Sequence, residues 1–220
     1  MAENALPVDA QENASVDAII IDTGCANISS LKFALERLGY NIAVTADIAK
    51  IKAAKKVFLP GVGSAEFAMK GIHQRNLATT IKGLTQPVLG ICLGMQLMTE
   101  HSIENGKDTE CLSLIPGNIK RINANAENPD EQSLRLPHMG WNTLESISAS
   151  PLFAGINQDD YFYFVHTYCA PLNEATLAVC DYGQKFSASL QQNNFYGVQF
   201  HPERSGKSGA KLLSNFMRNC

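Results

Sequence analysis

Between Asp17 and Cys92, short apolar runs alternate with stretches of helical period, and this alternation restricts the fold more than any other feature of the chain. "DAIIID" (17–22) is rich in Ile, as a strand buried on both faces requires. "NISSLKFALERLGY" follows, with Ile28, Leu31, Leu35 and Leu38 three and four residues apart, Ser29 as a cap and Gly39 where a helix would stop. "NIAVTA" and "KKVFLPGVGS" (55–64) read as two more strands, "SAEFAMKGIHQR" and "NLATTIKGL" as helical turns, and "QPVLGIC" as another buried strand. Parallel strands cannot be joined by tight turns, so strand and helix in alternation predict an α/β fold, a mostly parallel sheet with helices on both faces.

After residue 110 the pattern changes. "SLIPGNIKRIN", "LPHMGWNTLE", "DYFYFVHTYCA", "ATLAVCDYG" and "KFSASLQQNNFYGVQFHPE" are strand-like pieces separated by turn residues, with a hairpin turn at Gln192-Asn193-Asn194. "SGAKLLSNFMRN" reads as a closing helix. No internal repeat, low-complexity segment or long linker divides the 220 residues. The expectation is a flexible tail over 1–15, which lacks apolar period, and one domain over 16–220, with antiparallel strands appended to the parallel core.

A formal net charge of −3 supplies neither a basic footprint for nucleic acid nor a polybasic membrane anchor. The start is acidic and polar, unlike a signal peptide, and no apolar run approaches the length that spans a bilayer, so a cytoplasmic location is expected. Six cysteines without C-x-x-C pairs read as reduced thiols. Five histidines without H-E-x-x-H or zinc-finger spacing predict no metal.

"LGICLGMQLM" (89–98) places Cys92 between Gly90 and Gly94 after a buried strand and before a helical pattern. This is the logic of a nucleophile elbow, a sharp strand-to-helix turn where bulky neighbours would clash. A helix N-terminus at Cys92 would favour thiolate over thiol. The alternative is a buried structural cysteine at a strand end. A nucleophile needs a base and the base an orienting group. "QFHPERSG" offers both if the segment is extended, since residues two apart then share a side and Glu203 reaches the His201 ring. By itself "HPE" could equally be a His-Pro turn with a solvated Glu. The two motifs together, about 110 residues apart and both at strand ends, specify more than either alone.

These residues resemble the class I, or triad-type, glutamine amidotransferases, whose signatures G-x-C-x-G-x-Q and H-P-E are matched by Gly90 to Gln96 and by His201-Pro202-Glu203. "DTGCAN", "LPGVGS", "PHMGWN", "YFVHTY" and "GVQFHPERSG" are similar to the glutaminase subunits of imidazole glycerol phosphate synthases, from about Val16 to the C-terminus. The resemblance implies a three-layer, flavodoxin-like fold and a Cys92-His201-Glu203 triad that hydrolyses L-glutamine to glutamate and ammonia through a cysteinyl thioester, without a cofactor. It implies oxyanion donors at the backbone of Val62 and Leu93, and glutamine contacts at Gly61, Gly63, Gln96, Thr167 and Tyr168. On the residues alone, "PGVGS" is equally an ordinary strand-to-helix turn capped by Ser64, and Gln96 a helix-surface residue. His166 and His138 read as packing residues, because the His201-Glu203 pair makes a second base unnecessary.

The resemblance also implies a partner, a cyclase of (β/α)8-barrel fold that takes the ammonia into histidine biosynthesis. Eight β/α units need about 250 residues that this chain does not have spare, so the cyclase would be a separate chain and the assembly a heterodimer. Asn27, Trp141, Tyr163 and Arg204 match positions at or near that interface; by itself Trp141 could be a partly buried core aromatic. The first loop reads Gly24-Cys25-Ala26-Asn27 where the family often has G-x-G-N, and Cys25 is a candidate second reactive thiol. Competing readings are the glutaminase of another synthase, such as that of pyridoxal phosphate synthesis, whose loop is G-G-E-S where this chain has "GVGS", a stand-alone γ-glutamyl hydrolase, and a non-enzymatic binding module.

Overall fold

The computed structural model describes residues 16–24, 28–123 and 134–220. The expected tail, Cys25 and Asn27 lie outside the described residues. In chain order the elements are β1 (Ala18–Ile21), α1 (Ile28–Arg37), β2 (Ile42–Thr45), α2 (Ile48–Ala53), β3 (Val57–Gly61), α3 (Ala65–Gln74) and α4 (Leu77–Lys82). Then come β4 (Val88–Cys92), α5 (Leu93–Leu97), β5 (His101–Glu104), β6 (Lys107–Glu110), β7 (Asn118–Arg121), β8 (His138–Asn142) and β9 (Ser146–Ile147). The chain closes with β10 (Phe162–His166), β11 (Tyr168–Cys169), β12 (Thr176–Asp181), β13 (Lys185–Gln192), β14 (Phe195–Val198) and α6 (Gly206–Asn219).

An eight-stranded sheet runs β2-β1-β3-β4-β14-β13-β12-β9. From β2 to β14 every pairing is parallel. With β14 counted as the fifth parallel strand, the order is the flavodoxin-like 2-1-3-4-5, which carries its ligand crevice at the carboxyl ends of the strands. β13, β12 and β9 extend the sheet by antiparallel pairing. The pleat divides the core in two. Ala18 and Ile20 of β1 join Leu31 and Leu35 of α1 and Leu212, Leu213 and Phe216 of α6 in one cluster. Ile19 and Ile21 join Ile51 of α2, Met69 and Ile72 of α3 and Ile81 of α4 in the other. The three layers follow from alternate residues of apolar strands facing opposite ways, each fully buried large side chain contributing about 1.5–3 kcal/mol.

Several expectations need correction. Ser29 lies inside α1 rather than capping it. α2, unforeseen, is capped by Asp47, whose carboxylate accepts from the N–H groups of Ala49 (2.8 Å) and Lys50 (3.2 Å). Not all antiparallel strands join the core sheet: β8 and β10 form a separate two-stranded ribbon, and β11, β7, β5 and β6 a four-stranded sheet. "YFVHTY" breaks at Thr167, so β10 pairs with β8 while β11 pairs with β7. The β5–β6 hairpin was missed because "HSIENGKDTE" is polar. Its Asn105-Gly106 turn, with φ of 51° and 77°, is the Asn-Gly hairpin signature that would have revealed it.

Candidate active site

β4 ends at Cys92, whose φ of 53° and ψ of −112° turn the chain directly into α5. A non-glycine residue held there stores on the order of 1–3 kcal/mol, which surrounding packing must sustain. That packing depends on Gly94: a Cβ there would overlap the carbonyl oxygen of Leu59 in β3. A Cβ on Gly90 would in turn lie 2.8 Å from the Gly94 carbonyl. The glycines therefore let α5 press against the sheet, and the elbow expected from sequence is present. In register with Cys92, across the parallel β3–β4 pair, stands Gly61. The chain then passes Val62 and Gly63, where φ is +91°, to Ser64, whose hydroxyl caps α3 by accepting from the N–H of Phe67 (3.4 Å). Ser64 is the cap that one sequence reading expected, and the glycine loop borders Cys92.

His201 follows β14. Its backbone N–H donates to the Tyr163 carbonyl (2.9 Å), and its own carbonyl accepts from the Ser205 hydroxyl (2.6 Å), which also receives the Tyr163 N–H (2.9 Å). Residues Pro202–Arg204 form a 3-10 turn rather than the extended segment expected, because proline's fixed φ suits a first helical turn. The pairing survives by this other route, with His201 Nδ1 donating to Glu203 Oε1 at 2.8 Å. That leaves Nε2 for Cys92. Burial alone would lower the pKa of His201, but the hydrogen bonding and negative charge of Cys92 and Glu203 outweigh it and raise it to about 10. Glu203 Oε2 is buried and has no hydrogen-bond partner among the described residues.

Gln96 is buried in α5. Its Nε2 donates to the Tyr168 carbonyl (2.9 Å) and to Gln199 Oε1 (2.9 Å), while Gln199 Nε2 donates to Cys92 Sγ (3.7 Å). A cavity of about 380 Å³ is lined by Gly61, Val62, Gly63, Cys92, Leu93, Gln96, Thr167, Tyr168, His201 and Glu203, bringing together every residue expected in catalysis or glutamine contact. Arg204, expected at the interface, also lines it. Trp141 and Tyr163 do not; they pair across the β8–β10 ribbon with ring centroids 6.0 Å apart, and Trp141 is 54% exposed.

Sequence reasoning missed three residues. Gln199 lies two before His201, and period-two spacing in "QFH" would have placed it on the same side. Ser205 clamps His201 and Tyr163 from a hydroxyl with no distinctive sequence context. Glu104 lines the cavity from β5, its Oε1 accepting from the Ala65 N–H and the Ser102 hydroxyl, both at 3.0 Å. No signal pointed to it while β5 went unrecognised. Among the described residues no group of three or more His, Cys, Asp or Glu could hold a metal ion, and no helix is long and apolar enough to cross a membrane.

A thiol on a strained elbow, a histidine oriented by a carboxylate, and a pocket of small-molecule size make an arrangement capable of nucleophilic acyl transfer. The family model for class-I glutamine amidotransferases matches residues 19–220. This chain belongs to that family. Among curated amidotransferase relatives, it is 57% identical to an imidazole glycerol phosphate synthase subunit HisH from Mannheimia succiniciproducens, over 91% of this chain and 99% of the relative. It is 55% identical to that of Haemophilus influenzae (92% and 97%) and 51% identical to that of Colwellia psychrerythraea (92% and 93%). More distant solved structures share the fold. PurLQS from Thermotoga maritima matches with TM-score 0.60 at 17% identity (90% of this chain, 96% of that one), and the glutaminase domain of Trypanosoma brucei CTPS with 0.55 at 15% (92% and 94%).

Proposed function

We propose that this protein is the glutaminase subunit of an imidazole glycerol phosphate synthase, a cytoplasmic enzyme of histidine biosynthesis that passes ammonia to a separate (β/α)8-barrel cyclase. The observation carrying this reading is the near end-to-end identity of 51–57% with subunits of that name, in a chain whose triad side chains meet in one cavity.

In this reading Cys92 attacks the carboxamide carbon of L-glutamine, and the tetrahedral oxyanion is met by the backbone N–H groups of Leu93 and Val62. His201, its proton affinity raised by Cys92 and Glu203, gives a proton to the departing ammonia and then draws one from the water that hydrolyses the thioester to glutamate. Glu203 holds Nδ1 and so fixes the tautomer. Because both Nε2 hydrogens of Gln96 are engaged, what it offers glutamine is its Oε1, an acceptor. The carboxylate of Glu104 supplies negative charge for the substrate ammonium. Gly61, Gly63, Thr167 and Tyr168 complete the substrate contacts through their backbone. Asn27, Trp141, Tyr163 and Arg204 face the cyclase.

The test is glutamine-dependent synthesis of imidazole glycerol phosphate by the purified chain mixed with such a cyclase. Cys92→Ala should abolish it yet leave synthesis from added ammonium salt intact, because the barrel does not need the thiol. No ammonia transfer by the wild-type mixture would refute the assignment, and equal loss of both activities in Cys92→Ala would refute the role of the thiol.

A further inference from the structure

His138 and His166, set aside as packing residues in the sequence, face each other across the β8–β10 ribbon in register. His166 lines the catalytic cavity while 6% exposed, and His138 is 2% exposed. Their hydrogen bonds run in one direction. His166 Nδ1 lies 2.9 Å from the Tyr168 carbonyl, which can only accept, so Nδ1 carries the proton. His166 Nε2 is then the acceptor for His138 Nδ1, 3.1 Å away. His138 Nε2 accepts in turn from Asn142 Nδ2 at 3.5 Å; that same amide donates to the Asp181 carbonyl (2.9 Å), and Asn142 Oδ1 receives the Thr143 N–H (2.8 Å). Burial holds both rings neutral, pushing His138 down to about 4 and His166 to about 3. Stacking of His138 between Tyr182 (3.9 Å) and Phe164 (4.8 Å) fixes its plane.

The series of ring hydrogen bonds ends on the Tyr168 carbonyl, the same oxygen that receives Gln96 Nε2. Gln96 leads through Gln199 to the Cys92 sulfur. We propose that the neutral Asn142–His138–His166 relay is a positioning device for the glutaminase reaction: it locks the Tyr168 carbonyl, and through it the Thr167–Tyr168 backbone and the Gln96 amide, in the orientation that accepts glutamine. His166 acts through its neighbours and touches no reacting atom. The inference rests on the glutaminase reading.

The test uses the complex of full chain and cyclase. His166→Leu removes the donor to Tyr168 and should raise the KM for glutamine about tenfold, the scale of one lost hydrogen bond, with kcat changed less than about threefold. His166→Asn places an amide nitrogen near the Nδ1 position and should return KM to within about threefold of wild type. Synthesis from ammonium salt should be unchanged in both. Long-range 1H–15N correlation on the wild-type chain should show both rings neutral with the proton on Nδ1, a readout that needs no variant to fold. An unchanged KM in a folded His166→Leu beside an active wild type would overturn the relay, as would a proton on Nε2 of either ring. A wild type inactive with its cyclase would instead sink the glutaminase reading.

Discussion

At the residue scale, the charge on Glu203 matters more than its ability to accept a hydrogen bond. Glu203→Gln retains an oxygen for His201 Nδ1 but removes the negative charge that, with Cys92, lifts the ring to about 10. Glutaminase turnover with the cyclase should fall by roughly 10²- to 10⁴-fold, the range of general acid–base contributions, whose upper end is the loss seen when a triad's orienting aspartate becomes asparagine. The same substitution has a signature in stability. His201 in the folded chain binds its proton more tightly than an unfolded histidine, whose pKa is about 6.5. Its contribution is therefore complete below about pH 6.5 and is lost as pH rises toward 10. Melting temperature should decline across that window in the wild type and decline less in Glu203→Gln. Parallel profiles for the two proteins would mean that the carboxylate charge does not set the proton affinity of His201.

At the element scale, the glycines around Cys92 do different work, and substitution separates them. Gly94→Ala puts a methyl into the Leu59 carbonyl, so α5 must leave β3, and a loss of about 3 kcal/mol or more is expected in urea unfolding, with activity lost alongside. Gly63→Ala meets no atom within 4 Å and strains only the backbone at φ +91°, costing about 1–2 kcal/mol. Its glutaminase activity should nonetheless fall, because the strain is released by moving the loop proposed to offer the Val62 N–H. Full activity in Gly63→Ala would remove that loop from the oxyanion site. These elements also show what is legible in a sequence. The parallel core announced itself because strands buried on both faces are apolar throughout, and Cys92, His201 and Glu203 because glycine and proline mark the turns that carry them. β5 and β6 are polar and gave only Asn105-Gly106, so Glu104, whose place in the cavity depends on that hairpin, stayed out of sight. The relay through His138 and His166 depends on which strands become neighbours, and pairing of "PHMGWN" with "YFVHTY" is a tertiary fact that no local period encodes.

At the scale of the whole molecule, the β8–β10 ribbon stands between an exposed surface and His201. Trp141 and Tyr163 form its outward end, while the Tyr163 carbonyl holds the backbone N–H of His201. Met139 and Tyr161 beside them are 62% and 56% exposed, so the ribbon and its edge present a run of large apolar side chains. Such a surface suits docking of the proposed cyclase, with aromatic anchors of the kind that dominate interface energies. Trp141 is the chain's only tryptophan, so it reports on its own burial. Titration with the cyclase should shift its emission to shorter wavelength in a saturable way. Trp141→Ala should weaken the complex by about 2 kcal/mol, close to thirtyfold in Kd, while changing the stability of the isolated chain by less than about 0.5 kcal/mol. A complex that forms without moving the emission would place the cyclase elsewhere.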